Sequence, residues 1–305
     1  MVTWNIRYFS HAALGLTSLD ATMRRIACAL AQLQPQADVI ALQEIDAVSL
    51  RSVGGRYRMR QLRGEPVSNF DRFIARLNQE SAAIGGHTYQ AHFFPAQGEH
   101  ASFPLYSTGL SIIHQNGLHC VDHNADAPRD VTCRRLRVLA KFKQKRICAH
   151  VRLATSNGST FDVFNTHLSL PAFFKPGNGP TGRGFGEADN QLAEVQNVLN
   201  YIGEYDSASR AILLGDFNAV PGSKVYNTLA TDFVDAHASH LGISPTELRN
   251  YPTGGFWRFR YRLDHIFCGA EVLVRDFEGT QPGRSDHPWS HLSDHSPLIA
   301  RLSVG

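Results

Sequence analysis

The sequence predicts an α/β protein whose β-sheets are covered by helices on their outer faces. Three observations predict it. Short apolar runs of strand character recur along the whole chain, helix starts followed by apolar stripes fall between them, and several runs end abruptly in polar groups. Strands alternating with helices argue for layered sheets. In such proteins functional residues gather where strands end on one rim.

Strand signals fall, in order, at 2–9, 38–43, 88–94, 108–113, 135–151, 160–167, 211–215, 263–267, 271–277 and 296–302. Helix starts are legible at Thr17-x-x-Asp20 and Ser68-x-x-Asp71, both resembling capping boxes, and Phe70, Ile74 and Leu77 form a stripe after the second. A further helix is expected from Ala188 to Tyr201, where Leu192, Val195, Leu199 and Ile202 recur at helical spacing. These stripes read as core-facing. Between them, Pro171 to Asn190 is dense in glycine and proline, carries Phe173-Phe174, and reads as an inserted loop.

Composition narrows the class. A chain of 305 residues fits one or two domains, and its 43% hydrophobic and 19% charged content describe a protein with a core rather than a disordered chain. No apolar run reaches the roughly 18 residues of a membrane-spanning helix. The first strand begins at residue 2, which leaves no room for a secretory leader, so a cytoplasmic protein is expected. Cys28, Cys120, Cys133, Cys148 and Cys268 contain no Cys-x-x-Cys pair and are odd in number, arguing against a zinc ribbon and a complete disulfide framework. Cys28 and Cys268 sit in apolar contexts and read as small buried hydrophobes. No helical dimer seam or protein-partner motif is legible, and a monomer is expected.

The strand ends carry the chemistry. Ile212-Leu213-Leu214 runs into Gly215, which marks a strand end or a close backbone approach, and then into Asp216 and Asn218, whose side chains would share a direction in extended backbone. Other runs lead to Asn5, to Glu44, to His167, to Asp264-His265 and to Asp294-His295. Carboxylates, imidazoles and amides gathered on one rim are the ingredients of a divalent-metal phosphoester hydrolase.

The ordered series Thr3-Trp4-Asn5, Leu42-Gln43-Glu44, Asn165-Thr166-His167-Leu168, Gly215-Asp216-Phe217-Asn218, Leu263-Asp264-His265-Ile266-Phe267 and Ser293-Asp294-His295-Ser296-Pro297-Leu298 resembles the endonuclease/exonuclease/phosphatase superfamily. It covers nearly the whole chain. The resemblance implies one domain over 1–305 with the DNase-I-like fold: a four-layer α/β/β/α sandwich, two central mixed β-sheets flanked by helices, interrupted by the loop at about 171–190. It implies Mg²⁺ as cofactor, with Mn²⁺ as a substitute. Glu44 would be the direct metal ligand, and Asn5 and Asp294 would complete or orient its shell. Asp216 would orient or deprotonate the attacking water, or serve as a second ligand, and Asn218 would hold a phosphate oxygen. Asp264 would hold His295 as a protonated imidazole against the phosphate, with His167 approaching from the other side as donor or general acid. Ser285-Asp286-His287 repeats the tripeptide of Ser293-Asp294-His295, and the second copy is preferred because it runs into the apolar strand Leu298-Ile299-Ala300.

Net charge is only +3, so the distribution of basic residues matters more than their sum. If Trp257 to Asp264 is extended, Arg258, Arg260, Arg262 and Asp264 share one face, a basic ladder leading to a catalytic carboxylate. Arg56-Tyr57-Arg58-Met59-Arg60 repeats the alternation, and the stretch from Arg134 to Arg146 is basic throughout its charged positions. Each reads either as the solvated side of an amphipathic strand or as a phosphate-tracking surface. The favoured expectation is a nuclease acting on DNA or RNA. The alternatives are a phospholipid or phosphoinositide phosphodiesterase or phosphatase, with Phe173-Phe174 at a membrane, and a catalytically inactive nucleic-acid-binding module.

Overall fold

The computed structural model describes residues 1–9, 19–49, 68–96, 106–133, 145–171, 184–256, 259–279 and 287–305. Among them the chain forms β1 (Val2–Asn5), α1 (Leu19–Ala31), β2 (Val39–Ser49), α2 (Asn69–Ala82), β3 (Tyr89–Pro95), β4 (Tyr106–Gln115), β5 (His119–His123), β6 (Arg129–Asp130), β7 (Ile147–Ala154), β8 (Thr160–His167), α3 (Asp189–Ile202), β9 (Ala211–Asp216), α4 (Lys224–Leu229), β10 (Val234–Asp235), α5 (Ala236–Leu241), α6 (Pro245–Leu248), β11 (Gly254–Phe256), β12 (Phe259–Tyr261), β13 (Asp264–Cys268), β14 (Val272–Gly279) and β15 (Leu298–Val304).

The strands build two mixed sheets. The first has the order β14-β15-β1-β2-β4-β3, and the second β10-β13-β9-β8-β7-β5 with β6 paired to β7. The parallel pairs are β1 with β2 and β8 with β9. Alternation along each strand sends side chains to opposite faces, and the burial follows it. Ile212 and Leu214 of β9 pack between the sheets with Val163, Ile266, Ala41 and Ile112, whereas Leu213 points outward to α3 and α4. Ile40 and Leu42 of β2 face the other way, onto α1 and α2. The result is helix, sheet, sheet, helix, as the resemblance implies.

Local signals explain the helices. Ser68 and Asp71 close a reciprocal capping box on α2, and Asp235 caps α5 by accepting from the amides of His237 and Ala238. Thr17 lies outside the described residues, although the helix it was expected to open begins at Leu19. Two expectations need correction. The strand expected over 2–9 stops at Asn5, because Arg7, Tyr8 and Phe9 all adopt positive φ in a 3₁₀ turn. The extended ladder expected over Trp257 to Asp264 is broken. β12 pairs with β11 in a separate hairpin, and β13 starts anew beside β9.

Gly215 is required by packing as well as by conformation. Its φ is 141°, and a Cβ there would come within 2.0 Å of the Thr166 carbonyl oxygen of β8.

A buried ionic cluster braces the outer face of the second sheet. Asp162 accepts from Arg152 Nε at 2.9 Å and lies 2.6 Å from His150 Nε2, and Ser207 Oγ also donates to it. Burial opposes ionisation of Asp162, but these partners outweigh it and hold the carboxyl at about 2. The free-chain value is about 3.9, so the contribution is complete above about pH 4 and disappears as pH falls toward 2. Asp162→Asn should therefore cost about 2–3 kcal/mol at pH 7. Urea titrations from pH 7 to pH 2 should show the difference from wild type shrinking over the acidic end.

Candidate active site

The inner faces of both sheets change character at one rim. On β8 the inward row runs Phe161, Val163, Asn165, His167; on β9 it runs Ile212, Leu214, Asp216; on β13 it runs Cys268, Ile266, Asp264. Register places the last members side by side, since Asp216 pairs with both His167 and Asp264. Thr3 and Asn5 of β1 close the row from the first sheet. Beneath the ionisable groups lies a layer of amides: Gln43 Nε2 donates to Thr3 Oγ1 at 3.0 Å and to Asn165 Oδ1 at 2.8 Å. Asn165 Nδ2 in turn donates to the carbonyls of Leu42 and Ser111, both at 3.0 Å, tying one sheet to the other.

Glu44 reaches the rim through a bulge. The register of β2 on β4 slips by one residue between Leu42 and Ile45, and Glu44 takes a left-handed φ of 54°. Such a conformation costs about 1–2 kcal/mol for a residue with a Cβ, and strain of this kind clusters at functional sites. Asn5 Nδ2 donates to Glu44 Oε1 at 3.1 Å and to Asp216 Oδ2 at 3.0 Å, while Asn5 Oδ1 accepts from the Arg7 amide. Asn5 is thus a donor bridge between two carboxylates. His167 Nε2 stands 3.6 Å from Asp216 Oδ2 and 4.0 Å from Glu44 Oε1.

Opposite His167 stands His295. Its Nδ1 lies 2.7 Å from Asp264 Oδ2, and its Nε2 3.8 Å from Asp216 Oδ2. Thr253 holds Asp264 in place: its hydroxyl donates to Asp264 Oδ2 at 2.6 Å and accepts from the amides of Leu263 and Asp264. The backbone of His295 is anchored by Trp4 Nε1 donating to its carbonyl at 2.8 Å.

The two imidazoles carry different charge. Burial disfavours a charged His295, yet Asp264 and Asp216 overcome this and raise it to about 10. His167 is pushed well below its ordinary value by burial, then by Arg146 and His295. One ring is therefore a cation and the other neutral at pH 7. Burial raises Glu44, partly opposed by the Asn5 hydrogen bond, and burial with the neighbouring Asp264 raises Asp216. A divalent cation would relieve this crowding of desolvated carboxylates, and their oxygens suit a hard ion. Asp216, Asp264 and His295 bring ligand atoms within 4.8 Å of one another. That trio is an ion pair more than a ligand set, because a protonated imidazole has no lone pair to offer. Glu44 stands outside that ion pair, and its carboxylate could hold such a cation.

Other expected residues fall differently. Asp294 forms an ion pair with Arg7 at 2.7 Å. Asn218 does not share an extended strand with Asp216: β9 ends at Asp216, and Asn218 has φ 47°. Its amide donates to the Leu168 carbonyl at 2.9 Å and its backbone N–H to Asp216 Oδ1 at 3.0 Å, so it orients the carboxylate. Arg262 is a correction. It is 1% exposed, lies 2.6 Å from His237 Nδ1 and sits over the Phe277 ring, because the chain turns out of the hairpin at this point and carries it into the core. Arg260 is exposed on β12. Arg258, Arg56 to Arg60, residues 134–144 of the basic run, Phe173-Phe174 and Ser285-Asp286 lie outside the described residues. Sequence reasoning missed Thr253, Ser293 and Arg7. Ser293 alone had a visible signal, as the first residue of the preferred tripeptide; its hydroxyl donates to the Asn5 carbonyl at 2.7 Å.

A sequence profile of the endonuclease/exonuclease/phosphatase family matches residues 2–287. The matched span stops at His287, in the first copy of the repeated tripeptide, whereas the second copy supplies the ring beside Asp264. No curated protein matches the sequence significantly. Among solved structures, an endonuclease/exonuclease/phosphatase from Bacteroides vulgatus superposes with a TM-score of 0.62 at 16% identity, covering 100% of this chain and 98% of that one. A family protein from Leptotrichia buccalis gives 0.61 at 17% identity, covering 99% and 98%. ANGEL2, a 2′,3′-cyclic phosphatase solved with adenosine-2′,3′-vanadate, gives 0.61 at 15% identity, covering 99% and 94%.

The charge on His295 depends on Asp264, which can be checked without any substrate. In metal-free protein, Asp264→Asn should lower the NMR titration midpoint of His295 by more than one pH unit, toward the ordinary imidazole value of about 6.5.

Proposed function

Because the chain belongs to the endonuclease/exonuclease/phosphatase family, we propose that it is a Mg²⁺-dependent phosphodiesterase that cleaves nucleic acid by in-line attack of water. The observation that carries this reading is the pair of rings across the rim, one cationic and one neutral, with Asp216 within 4 Å of both. A phosphate seated between them meets a ready-made donor. Held protonated by Asp264, His295 can present its Nε2–H to a non-bridging oxygen as charge builds there. Neutral His167 can donate or accept at Nε2 as the leaving oxygen requires. Asp216, steadied by Asn5 and the Asn218 amide, can orient the attacking water. A divalent ion bound at Glu44, Mg²⁺ or Mn²⁺ in its place, supplies neutralisation of the phosphate charge.

Nucleic acid is favoured as substrate by the β11–β12 hairpin. Gly254 packs so closely on His295 that a Cβ would come within 2.6 Å of its ring. The same hairpin presents Phe259, 48% exposed, with Tyr261 stacked on it at 6.4 Å and Phe185 beyond at 5.1 Å, while Arg260 alternates to the opposite face, over Gly255. An aromatic shelf beside a phosphate site suits stacked bases. This support replaces the longer arginine ladder, which the burial of Arg262 breaks. Among the described residues, no helix is long and apolar enough to cross a membrane.

The reading is tested by Mg²⁺-dependent hydrolysis of plasmid DNA, single-stranded DNA, RNA, sphingomyelin vesicles and a phosphoinositide. Cleavage of a nucleic acid, lost in chelator and reduced at least about a hundredfold in Glu44→Ala, is expected. Turnover confined to the lipids would overturn the substrate and leave the rim chemistry standing. Paired histidine variants test which tripeptide acts. His295→Ala should reduce kcat by about a hundredfold or more, with His287→Ala near wild type; the reverse would place the working ring on the first copy.

A further inference from the structure

Away from the rim, the sandwich gathers a second set of chemically active side chains at its lateral edge. His92 lies on β3 and His114 on β4, and register places them diagonally on one face, since His92 pairs with Ile112 and Gln90 with His114. Ile112 packs between the sheets, so both rings point toward the second sheet. The strand that meets them is β5. Residues three apart on a regular strand face opposite ways, but the register of β5 on β7 slips between Cys120 and Asp122. Cys120 then pairs with Leu153 and His123 with Val151, both core residues between the sheets. The bulge therefore turns Cys120 and His123 to the same inner side.

The four side chains converge. Ligand atoms of His92, His114 and Cys120 all lie within 4.8 Å of one another. The His123 ring centre is 4.5 Å from that of His92, and the His92 and His114 rings stack at 5.6 Å. His114 is fully buried, and its Nε2 has no hydrogen-bond partner; the same holds for His92 Nε2. Two buried ring nitrogens without partners are a cost that folded proteins rarely carry. His114 Nδ1 lies 3.2 Å from the Gln115 carbonyl and so carries the proton, which leaves Nε2 with a lone pair to offer.

We infer that His92, His114 and Cys120 form a transition-metal site for an ion of the Zn²⁺ class, with His123 beside the fourth position. Nitrogen and sulfur donors select a borderline-soft ion over Mg²⁺, and four-coordinate Zn²⁺ accepts this donor set. Both imidazoles are ready as neutral donors: burial lowers His92 to about 4 and shifts His114 in the same direction. On binding, the Cys120 thiol gives its proton to solvent as the metal–sulfur bond forms. The site is separate from the rim. His114 stands roughly 16 Å along β4 from Gly109, opposite the Glu44 bulge, at about 3.3 Å per residue. An ion here would staple the edge strands of the two sheets together.

Cobalt(II) reads the site directly. The full chain, stripped of metal and then held in excess Mg²⁺, should take up one Co²⁺ with tetrahedral visible bands and a thiolate-to-cobalt band in the near ultraviolet, both displaced by Zn²⁺. Cys120→Ser should abolish the thiolate band, and His92→Gln or His114→Gln should weaken Zn²⁺ binding at least about tenfold. Because His114 is buried and its variant can fail to fold, the half-buried His92 provides the second reading. Glu44→Ala should retain the bands in full. No thiolate band in the wild-type protein, or a band that survives Cys120→Ser, would overturn the site.

Discussion

One buried amide sets the geometry on which the rim depends. Asn165 belongs to the second sheet, yet its side chain donates to two carbonyls of the first and accepts from Gln43. The bulge of β2 interrupts the ladder between Leu42 and Ile45, beside the carbonyls that Asn165 satisfies. An interrupted ladder in a dry interior is costly unless its polar groups are answered. By answering them from the opposite sheet, Asn165 holds the two sheets in register where they must cooperate. Glu44 comes from one sheet and Asp216, His167 and Asp264 from the other, so their spacing is a property of this contact.

Above that layer, the electrostatics follow from who is paired with whom. Burial works against charge on Glu44, His167, Asp216 and His295, and only hydrogen bonds or opposite charges counter it. His295 has a carboxylate locked against Nδ1 and a second one facing Nε2, so it keeps its proton. His167 faces the same Asp216 at similar range but lacks a locked partner and feels the positive Arg146 and His295, so it stays neutral. A difference of about one ångström in carboxylate contact thus divides two otherwise similar imidazoles.

The fold and the composition of the rim were legible because apolar rows on inner strand faces terminate in polar residues, and that termination survives in sequence order. Asn5, Glu44, His167, Asp216, Asp264 and His295 converge for this reason. Features that depend on a single slipped residue were not legible. Nothing in Leu42-Gln43-Glu44-Ile45 announces a bulge, and nothing in Phe259-Arg260-Tyr261-Arg262 announces that the chain leaves its hairpin after Tyr261. Alternation read across that break put Arg262 on a solvent face, when its guanidinium lies against His237 and Phe277. Thr253 was invisible for a different reason: a hydroxyl acting across a turn has no periodicity to reveal it. The short strands β5, β6 and β10 were too brief for any pattern to accumulate, and β5 carries the bulge that turns Cys120 and His123 inward.

The placement of β15 bears on how the protein is made. This strand, near the end of the chain, pairs with β1, and the Met1 amino group donates to the Ala300 carbonyl. Asn5 and His295 thus face one another across the rim only after the first and last strands have met. All the strands between them must leave the ribosome before the two can pair, so the rim is the product of a late, long-range closure and cannot form from any shorter segment of the chain.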